Sequence, residues 1–376
     1  PMIYLDHNAT TPVAPEVYAA MAPYLSREYG NPSSGYPLGR VAHDALEHAR
    51  DQVARLMGCN AREIVFTSGG TESNNTVIKG VAHTYRKRGN HIITTAIEHP
   101  AVTSPCIFLM ERGYDPTFLH VDGNCLVDPA GVAETIRKET ILMSVMHANN
   151  ETGAIQPIEE IGRIARTHGV LFHTDAAQSA GKIPIDVADM NVDFASIAGH
   201  KIYGPKGIGA FFIKNGVHIE PLMHGAGQES GRRAGTENVA LAVGLGTACD
   251  LAVKHLAEDG DRTRLLRDRL HNLLAAQIPD LTLNGHPEAR LPNTLNVCFP
   301  GVDGAKLLDA IPEIAASTGA ACHDRSVSLS HVLAAMNVPK DIGRGALRLT
   351  LGRENTREDV DRAAELILSA YAELRQ

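Results

Sequence analysis

The sequence has few cysteines, and they form no paired motif. Its 376 residues include six cysteines, which are scattered without a CxxC pair, and this argues against both a zinc site and a disulfide framework. We therefore expect a reducing cytoplasm as the location and small buried side chains for most of the cysteines. Only Cys322 has sequence neighbours that indicate another role.

Long apolar runs and an excess of basic charge are also absent. No run of about 18 apolar residues occurs, so the sequence predicts no membrane-spanning helix. The net charge of −8, from 35 basic and 43 acidic residues, argues against non-specific binding to nucleic acid. The first residues, PMIYLDHNATTP, form no basic and hydrophobic leader, which agrees with the expected cytoplasmic location.

The sequence does contain a repeated order of strand, polar turn and helix. Between Ile64 and Ile213 this order recurs about every 25 to 30 residues, which is typical of a parallel sheet covered by helices. We predict an α/β protein with a mostly parallel wound sheet, helices on both faces and a smaller α+β domain. The large domain would span residues 1–255, with segment 1–14 packing on the small domain, and the small domain would span 256–376.

The stretch Val170–Gln178, VLFHTDAAQ, is the centre of the predicted site. Its apolar start and Asp175 are typical of a buried parallel strand that places one acid at its carboxyl end, where ligands bind in such sheets. Lys201 follows 26 residues later (201 − 175), before a turn rich in glycine and proline. A pyridoxal phosphate site needs a lysine to bind the aldehyde and an acid to keep the pyridine nitrogen protonated. On its own, such a pair is more often two unconnected surface residues.

Polar residues follow several other predicted strands. The strand Ile64–Phe66 leads into a glycine turn and a helix start, which either cradles a phosphate or is a plain connection. Because the carboxyl ends of parallel strands meet at one edge of a sheet, we expect these polar residues to converge on one crevice. They are Thr71, His99, Asn150, Asp175 and Gln178.

Taken together, the motifs resemble the cysteine desulfurases of the NifS/IscS type, within the class V aminotransferases and the fold-type I pyridoxal phosphate enzymes. The resemblance runs almost end to end, in the family's order, through YLDHNATTP, GNPSS, FTSGGTESNN, EHPAV, NNETG, HTDAAQS, GHKIYGPKG, AGTEN, STGAAC and LRLTLGR. It implies a homodimeric, pyridoxal-phosphate-dependent enzyme that takes sulfur from L-cysteine and releases L-alanine. The sulfur would pass to an acceptor or scaffold protein, for iron–sulfur cluster assembly or thiolation.

The resemblance also implies a role for individual residues. Lys201 would bind the cofactor and carry the Cα proton, His99 would stack on its ring and share in proton transfer, and Cys322 would be the nucleophile that becomes a persulfide. Further cofactor contacts would come from Gly70, Thr71, Asp175, Gln178, His200 and, across the dimer interface, Thr236. Asn150 and Arg348 would fix the substrate carboxylate, a task that suits the planar fork of arginine. No metal is implied.

Four of these residues also have a purely structural interpretation. Without the resemblance, His99 is a helix-start or core histidine and Asn150 is an ordinary turn residue. Arg348 is then a charge between strands, and Cys322 is a small buried side chain.

Two features depart from the usual family pattern. Ala198 stands just before GHK, where a serine often helps to hold the phosphate, so one hydrogen bond is missing or replaced by water. The residues around the nucleophile, GAACHDR in place of GSACTS, look more like those of selenocysteine lyases. A selenocysteine lyase acting on L-selenocysteine, or another class V aminotransferase, is therefore the alternative function. We expect His323 and Arg325 to lower the pKa of the Cys322 thiol.

Overall fold

The computed structural model describes residues 2–318 and 329–375, so Cys322, His323 and Arg325 lie outside the described residues. The helices are α1 (Pro15–Ser26), α2 (Pro37–Met57), α3 (Gly70–Tyr85), α4 (Pro100–Met110), α5 (Pro129–Thr135), α6 (Ile158–His168), α7 (Val239–Gln277), α8 (Gly304–Asp309), α9 (His331–Ala335), α10 (Lys340–Gly343) and α11 (Arg357–Leu374). The strands are β1 (Ile3–Tyr4), β2 (Ile64–Thr67), β3 (His91–Thr95), β4 (Asp115–Leu119), β5 (Thr140–Ser144), β6 (Leu171–Asp175), β7 (Phe194–Ala198), β8 (Gly209–Ile213), β9 (Thr282–Leu283), β10 (Thr294–Cys298), β11 (Ile314–Ala315), β12 (Ser317–Thr318) and β13 (Ala346–Thr350).

The central sheet has the strand order β2-β8-β7-β6-β5-β3-β4 within the described chain. Strand β8 runs antiparallel to its neighbours β2 and β7, and the other neighbouring pairs are parallel. Every residue of β5, β7 and β8 is buried, because helices cover both faces of the sheet. The predicted α/β architecture with a mostly parallel sheet is confirmed.

Local sequence signals explain where several helices begin and end. The spacing of apolar residues predicts a helix from Val41, but α2 begins earlier at Pro37, since proline suits the first helical position. The same helix ends at Gly58, whose φ of 70° is the left-handed conformation that favours glycine. Helix α4 likewise begins at a proline, Pro100, with His99 as its N-cap.

A second, antiparallel sheet with the order β12-β13-β10-β9 forms in the C-terminal part of the described chain. The N-terminal segment belongs to the same region, since β1 pairs in parallel with β11 and places Ile3 opposite Ile314. Both residues lie in a hydrophobic core that also contains Leu5. Further along, the backbone N–H of Thr11 donates to the oxygen of His200, which follows β7, so the N-terminal segment connects this region to the carboxyl end of the central sheet.

Helix α7 joins the two regions without a break. Its first part, including Leu245 and Cys249, packs in the core under the central sheet, and its last turns, including Leu270 and Leu274, pack in the C-terminal core. By length and composition the helix would also suit a membrane span, but half of its apolar stretch is buried, as in the core helix of a globular protein.

Candidate active site

A cavity of about 310 Å³ lies where the central strands end. The carboxyl ends of β6 and β7 reach it, which is the expected place for a ligand in this kind of sheet. It brings together most of the residues predicted from the sequence: Gly70, Thr71, His99, Asn150, Asp175, Gln178, His200, Lys201 and Arg348. The predicted convergence of polar residues on one crevice is confirmed.

Asp175 is the last residue of β6 and is buried. Its Oδ2 accepts a hydrogen bond of 2.8 Å from Nδ2 of Asn74, and its Oδ1 accepts one of 2.9 Å from the backbone N–H of Ala177. These two donors fix the carboxylate at the strand end. Asn74 lies on α3, three residues after Thr71. The same helix therefore begins at the cavity and orients the carboxylate of Asp175.

Lys201 follows β7 in a short helical turn. Its Nζ donates hydrogen bonds to the backbone oxygens of Asn8 at 2.6 Å and Ala9 at 2.8 Å. Burial, and then the charge of Arg348, lower the pKa of Lys201 to about 8. A larger fraction of this amine is therefore neutral near pH 7 than for an exposed lysine, and a neutral amine is what bonds to an aldehyde or accepts a proton.

His99 precedes α4 and caps it. Its Nδ1 accepts a hydrogen bond of 3.1 Å from the backbone N–H of Ala101, which assigns the ring proton to Nε2. Burial lowers the pKa of His99, a shift that the charge of Asp175 opposes and the charge of Lys201 reinforces. The result is a neutral imidazole on the cavity wall.

The start of α3 forms another wall of the cavity. Gly69 has a φ of 153°, a conformation that favours glycine, and α3 begins at the next residue. The first N–H groups of a helix lack partners within it, and together with the helix dipole they favour an anion. A Cβ added at Gly70 would lie 3.5 Å from the Cβ of Ala198, so this alanine borders the helix start with a methyl group and no donor.

His200 lies beside Lys201 on the same short turn. Its Nδ1 is 3.1 Å from Oγ1 of Thr10. Burial, followed by the charges of Lys201, Lys206 and Lys182, lowers the pKa of His200 to about 4. The imidazole is therefore neutral at pH 7 and supplies a single N–H donor.

Arg348 comes to the cavity from β13 of the C-terminal sheet. Its Nη1 donates to the backbone oxygen of Asn150 at 3.1 Å, and its Nη2 donates to Oδ1 of Asp6 at 2.8 Å and to Oγ of Ser317 at 3.1 Å. Its Nε and the Oδ1 of Asn150 are buried and have no partner among the described residues. Because buried polar atoms are ordinarily paired, an unpartnered arginine donor at this cavity fits the carboxylate of a bound amino acid.

Asn8 connects these parts, although sequence reasoning gave it no role. Its backbone oxygen accepts from Nε2 of Gln178 at 2.9 Å and from Lys201, while its Nδ2 donates to the backbone oxygen of Asn150 at 3.2 Å and to Oγ1 of Thr294 at 3.0 Å. The available signal was its place in YLDHNATTP, a polar residue between a short strand and a turn. Asn74 and Lys182 were also missed.

One predicted site residue is absent from the described lining of the cavity, and another lies outside the described residues. Thr236 is exposed and lies in the loop before α7, away from the cavity lining of its own chain. Another residue of that loop, Arg233, pairs with Glu72 of α3 at 2.8 Å. The predicted nucleophile Cys322 falls outside the described residues, which end on one side at Thr318 and resume at Leu329.

The residues present fit a pyridoxal phosphate cofactor. Asp175 offers a fixed carboxylate for the pyridine nitrogen, Lys201 offers an amine of lowered pKa for the aldehyde, and the start of α3 offers donors for a phosphate. All three border one cavity of a few hundred cubic ångströms, a volume typical of cofactor sites.

Known proteins share both the sequence and the fold. The family "Aminotransferase class-V" matches residues 3–363. The "Cysteine desulfurase IscS" of Methanosarcina thermophila is 50% identical over 99% of this chain and 93% of its own. A solved structure described as "NIFS-LIKE PROTEIN" is 39% identical, with a TM-score of 0.94 over 100% of both chains. Another, "SspA in complex with cysteine", is 37% identical, with a TM-score of 0.84 over 94% of this chain and 99% of that one. The chain therefore belongs to the class V aminotransferases and, within them, to the cysteine desulfurases of the NifS/IscS type.

Proposed function

We propose that this cysteine desulfurase moves the sulfur of L-cysteine onto Cys322 as a persulfide and releases L-alanine. The observation that carries the proposal is the meeting of Lys201, Asp175 and Arg348 in one cavity. SspA, a solved relative, is described in complex with cysteine, which supports L-cysteine as the substrate. The similar proteins reported above favour a desulfurase over the alternatives of selenocysteine lyase or another class V aminotransferase.

The family's cofactor is pyridoxal 5′-phosphate. When bound, it supplies an electron sink for the pair left at the substrate Cα. We assign its nitrogen to Asp175, its ring face to His99 and its covalent attachment to Lys201. Its remaining contacts would come from Gly70, Thr71, Gln178 and His200.

Arg348 and Asn150 would hold the substrate. The unpartnered Nε of Arg348 is a donor that the substrate carboxylate can satisfy, and the Nδ2 group of Asn150 can donate to the same carboxylate. Lys201, as a neutral amine, would then take the proton from Cα and return one to the product. The neutral imidazole of His99 can take part in the same transfer.

Cys322 would receive the sulfur. Its thiolate attacks the substrate sulfur, a sulfur–sulfur bond forms as the Cβ–sulfur bond breaks, and the electron pair left on Cβ takes up a proton to give the methyl group of alanine. The residue Ser317, five positions earlier (322 − 317), donates to Asp6 and accepts from Arg348. The chain five positions before Cys322 therefore lies against the substrate-binding arginine.

We also propose that the enzyme is a homodimer whose subunits complete each other's sites. Thr236 is exposed and does not reach the cavity of its own chain, yet its loop is tied to the start of α3 by the Arg233–Glu72 pair. In a dimer, Thr236 could contact the phosphate end of the neighbouring site. Thr236→Ala should then release the cofactor faster without changing the molecular mass in solution, and an unchanged release rate would contradict this role.

The division into domains and the cellular role complete the proposal. A large domain at 1–255 and a small one at 256–376 would meet within α7, with segment 1–14 on the small domain as the β1–β11 pairing supports. In the cytoplasm the persulfide would pass to an acceptor or scaffold protein, for iron–sulfur cluster assembly or thiolation.

The proposed reaction predicts one alanine for each sulfur removed. With L-cysteine and a thiol reductant, wild-type protein should yield equal amounts of alanine and sulfide, whereas Lys201→Ala and Cys322→Ala should yield neither. Lys206→Ala, which changes an exposed lysine in the same loop, is the matched control. Wild-type turnover by Cys322→Ala would overturn the assignment of the nucleophile, and faster turnover of L-selenocysteine that survives this substitution would indicate a lyase.

A further inference from the structure

We infer that Lys182 is a positioning residue of this site, whose amine fixes the Gln178 amide and the Asn8 turn that holds Lys201. The inference rests on the proposed function, because it assigns a task at the same cavity. The sequence interpretation gave Lys182 no role.

The contacts of Lys182 link it to Lys201 through Asn8. Its Nζ donates to Oε1 of Gln178 at 2.9 Å and to Oδ1 of Asn8 at 3.3 Å. Nε2 of Gln178 and Nζ of Lys201 both donate to the backbone oxygen of Asn8, at 2.9 Å and 2.6 Å. Movement of the Lys182 amine would therefore disturb both the side-chain amide of Gln178 and the turn at Asn8.

No described carboxylate pairs with the Lys182 amine. Lys182 and Lys201 border a small cavity of about 40 Å³, whose one acidic lining residue among those described is Asp259. That acid is already paired with Nε of Arg353 at 2.6 Å. Lys182 is half-buried, and because an amine withdrawn from water without a counter-ion costs stability, its presence beside a cleft points to a task in the site.

The amine determines which end of the Gln178 amide faces each partner. A cationic or neutral amine donates to oxygen, so Oε1 is held toward Lys182 and Nε2 is left as the donor on the other side. That donor now meets the Asn8 backbone oxygen, and Gln178 also lines the main cavity. The orientation suits the cofactor contact proposed for Gln178, which the family resemblance places at the phenolic oxygen.

The Lys182 amine titrates close to neutral pH. Burial, and then the charges of Lys201 and Arg348, lower the pKa of Lys182 to about 7. The charged groups that shift the pKa of Lys201 are Arg348, Asp175 and Asp6. Loss of the Lys182 amine therefore acts through the restraint on the Gln178 donor, and a lost donor disfavours the deprotonated form of the group that it would contact at the cofactor.

The test is a pH titration of the visible absorbance of the cofactor-loaded protein. Lys182→Met should move the titration midpoint upward by about one pH unit, since a hydrogen bond to the deprotonated form lowers a pKa and its loss raises it. Lys182→Arg keeps a donor and a charge and should stay near the wild-type midpoint. Lys138→Met makes the same change at an exposed lysine and should have no effect.

Turnover gives a second readout. Lys182→Met should lower kcat about tenfold and leave KM for L-cysteine within about twofold, because Lys182 does not contact Arg348 or Asn150. If circular dichroism shows that this variant does not fold, Lys182→Gln takes its place with the same expected shift.

The outcomes separate this inference from the proposed function. A wild-type midpoint in a folded Lys182→Met or Lys182→Gln variant would overturn the positioning role alone. Absence of a visible band in the wild-type protein, or persistence of the band in Lys201→Ala, would overturn the cofactor assignment itself.

Discussion

The side-chain amide of Asn74 donates a hydrogen bond of 2.8 Å to Oδ2 of Asp175. The two residues are separated by 101 positions in sequence and meet because α3 starts at the carboxyl end of the sheet. Both side chains are buried, at 1% and 7% exposure, so the bond is shielded from water. Asn74 thus keeps the acid of the site in one orientation.

Replacement of Asn74 by aspartate should impair cofactor binding. Asn74→Asp places a second carboxylate against Asp175, and two neighbouring carboxylates share a proton, so the pyridine nitrogen loses part of its negative partner. We expect about a tenfold weaker affinity for pyridoxal phosphate, measured by absorbance titration of the cofactor-free protein. Asn75→Asp, one residue along the same helix, is the matched control and should bind as the wild type does.

Replacement of Arg348 by lysine should weaken substrate binding. Lysine keeps the charge but lacks the planar fork, and it loses the bonds to Asp6 and Asn150 that hold the guanidinium. The KM for L-cysteine should rise by roughly 10- to 100-fold, the order of one or two lost charge-assisted bonds. Arg344→Lys changes an arginine that pairs with Asp303 on the same part of the chain, and it should leave KM unchanged. Equal KM values for both variants would argue against Arg348 as the carboxylate site.

The titration of the Glu98 carboxyl should lower the free energy of unfolding as the pH rises. Burial, with a smaller contribution from the charge of Asp175, raises the pKa of this carboxyl from 4.5 to about 8, against hydrogen bonds from Met146 and Thr95 that lower it. Between these two pH values the folded protein keeps a proton that the unfolded chain has lost, so the free energy of unfolding decreases with pH. The contribution of Glu98 is complete below the unfolded pKa and is lost as the pH approaches 8.

Glu98→Gln removes this titration and keeps the shape of the side chain. Between about pH 5 and pH 8 the variant should lose less stability than the wild type, by roughly 1–3 kcal/mol, in urea unfolding of the cofactor-free protein. Glu111→Gln, at an exposed position, should follow the wild-type curve. Parallel curves for Glu98→Gln and the wild type would contradict the raised pKa.

The buried pair of Arg50 and Glu229 should contribute strongly to stability. Two hydrogen bonds of 2.7 Å join the side chains. Oε2 of Glu229 also accepts a hydrogen bond of 2.8 Å from the backbone N–H of Phe66. Arg50→Met leaves Glu229 charged, buried and unpaired by arginine, which should cost about 3–5 kcal/mol in urea unfolding. Arg264→Met breaks the exposed pair with Asp261 and should cost at most about 1 kcal/mol. Similar losses for both variants would contradict this account.

Much of the fold follows from local sequence signals. The apolar run before Asp175 predicts a buried strand, and β6 does end at that residue. The prediction succeeds because a continuous apolar run is typical of a parallel strand that is buried on both faces. Proline and glycine likewise determine the start of α2 at Pro37 and its end at Gly58. The sequence also predicts a helix from Ala240 that continues with charged residues to about Gln277, and α7 runs unbroken through 39 residues although its two halves pack in different cores.

The candidate site likewise contains some residues that the sequence predicts and others that it does not. Residues at strand ends, such as His99, could be predicted to converge because all parallel strands end at one edge. Asn8 and Lys182 could not, because their contacts connect positions up to 193 apart and depend on how the N-terminal segment folds back. Thr236 is exposed in its own chain, so its proposed role depends on a neighbouring subunit.

The central claim is that Cys322 receives the sulfur, and peptide mass spectrometry tests it most directly. After incubation with L-cysteine and capping of thiols, the peptide that contains Cys322 should carry one additional sulfur atom, and Lys201→Ala should abolish it. Cys59 is the matched internal control, because burial raises its thiol pKa to about 12 and Cys59→Ser should leave the labelling unchanged. Additional sulfur on another cysteine, with an unmodified Cys322 and undiminished alanine production, would contradict the account.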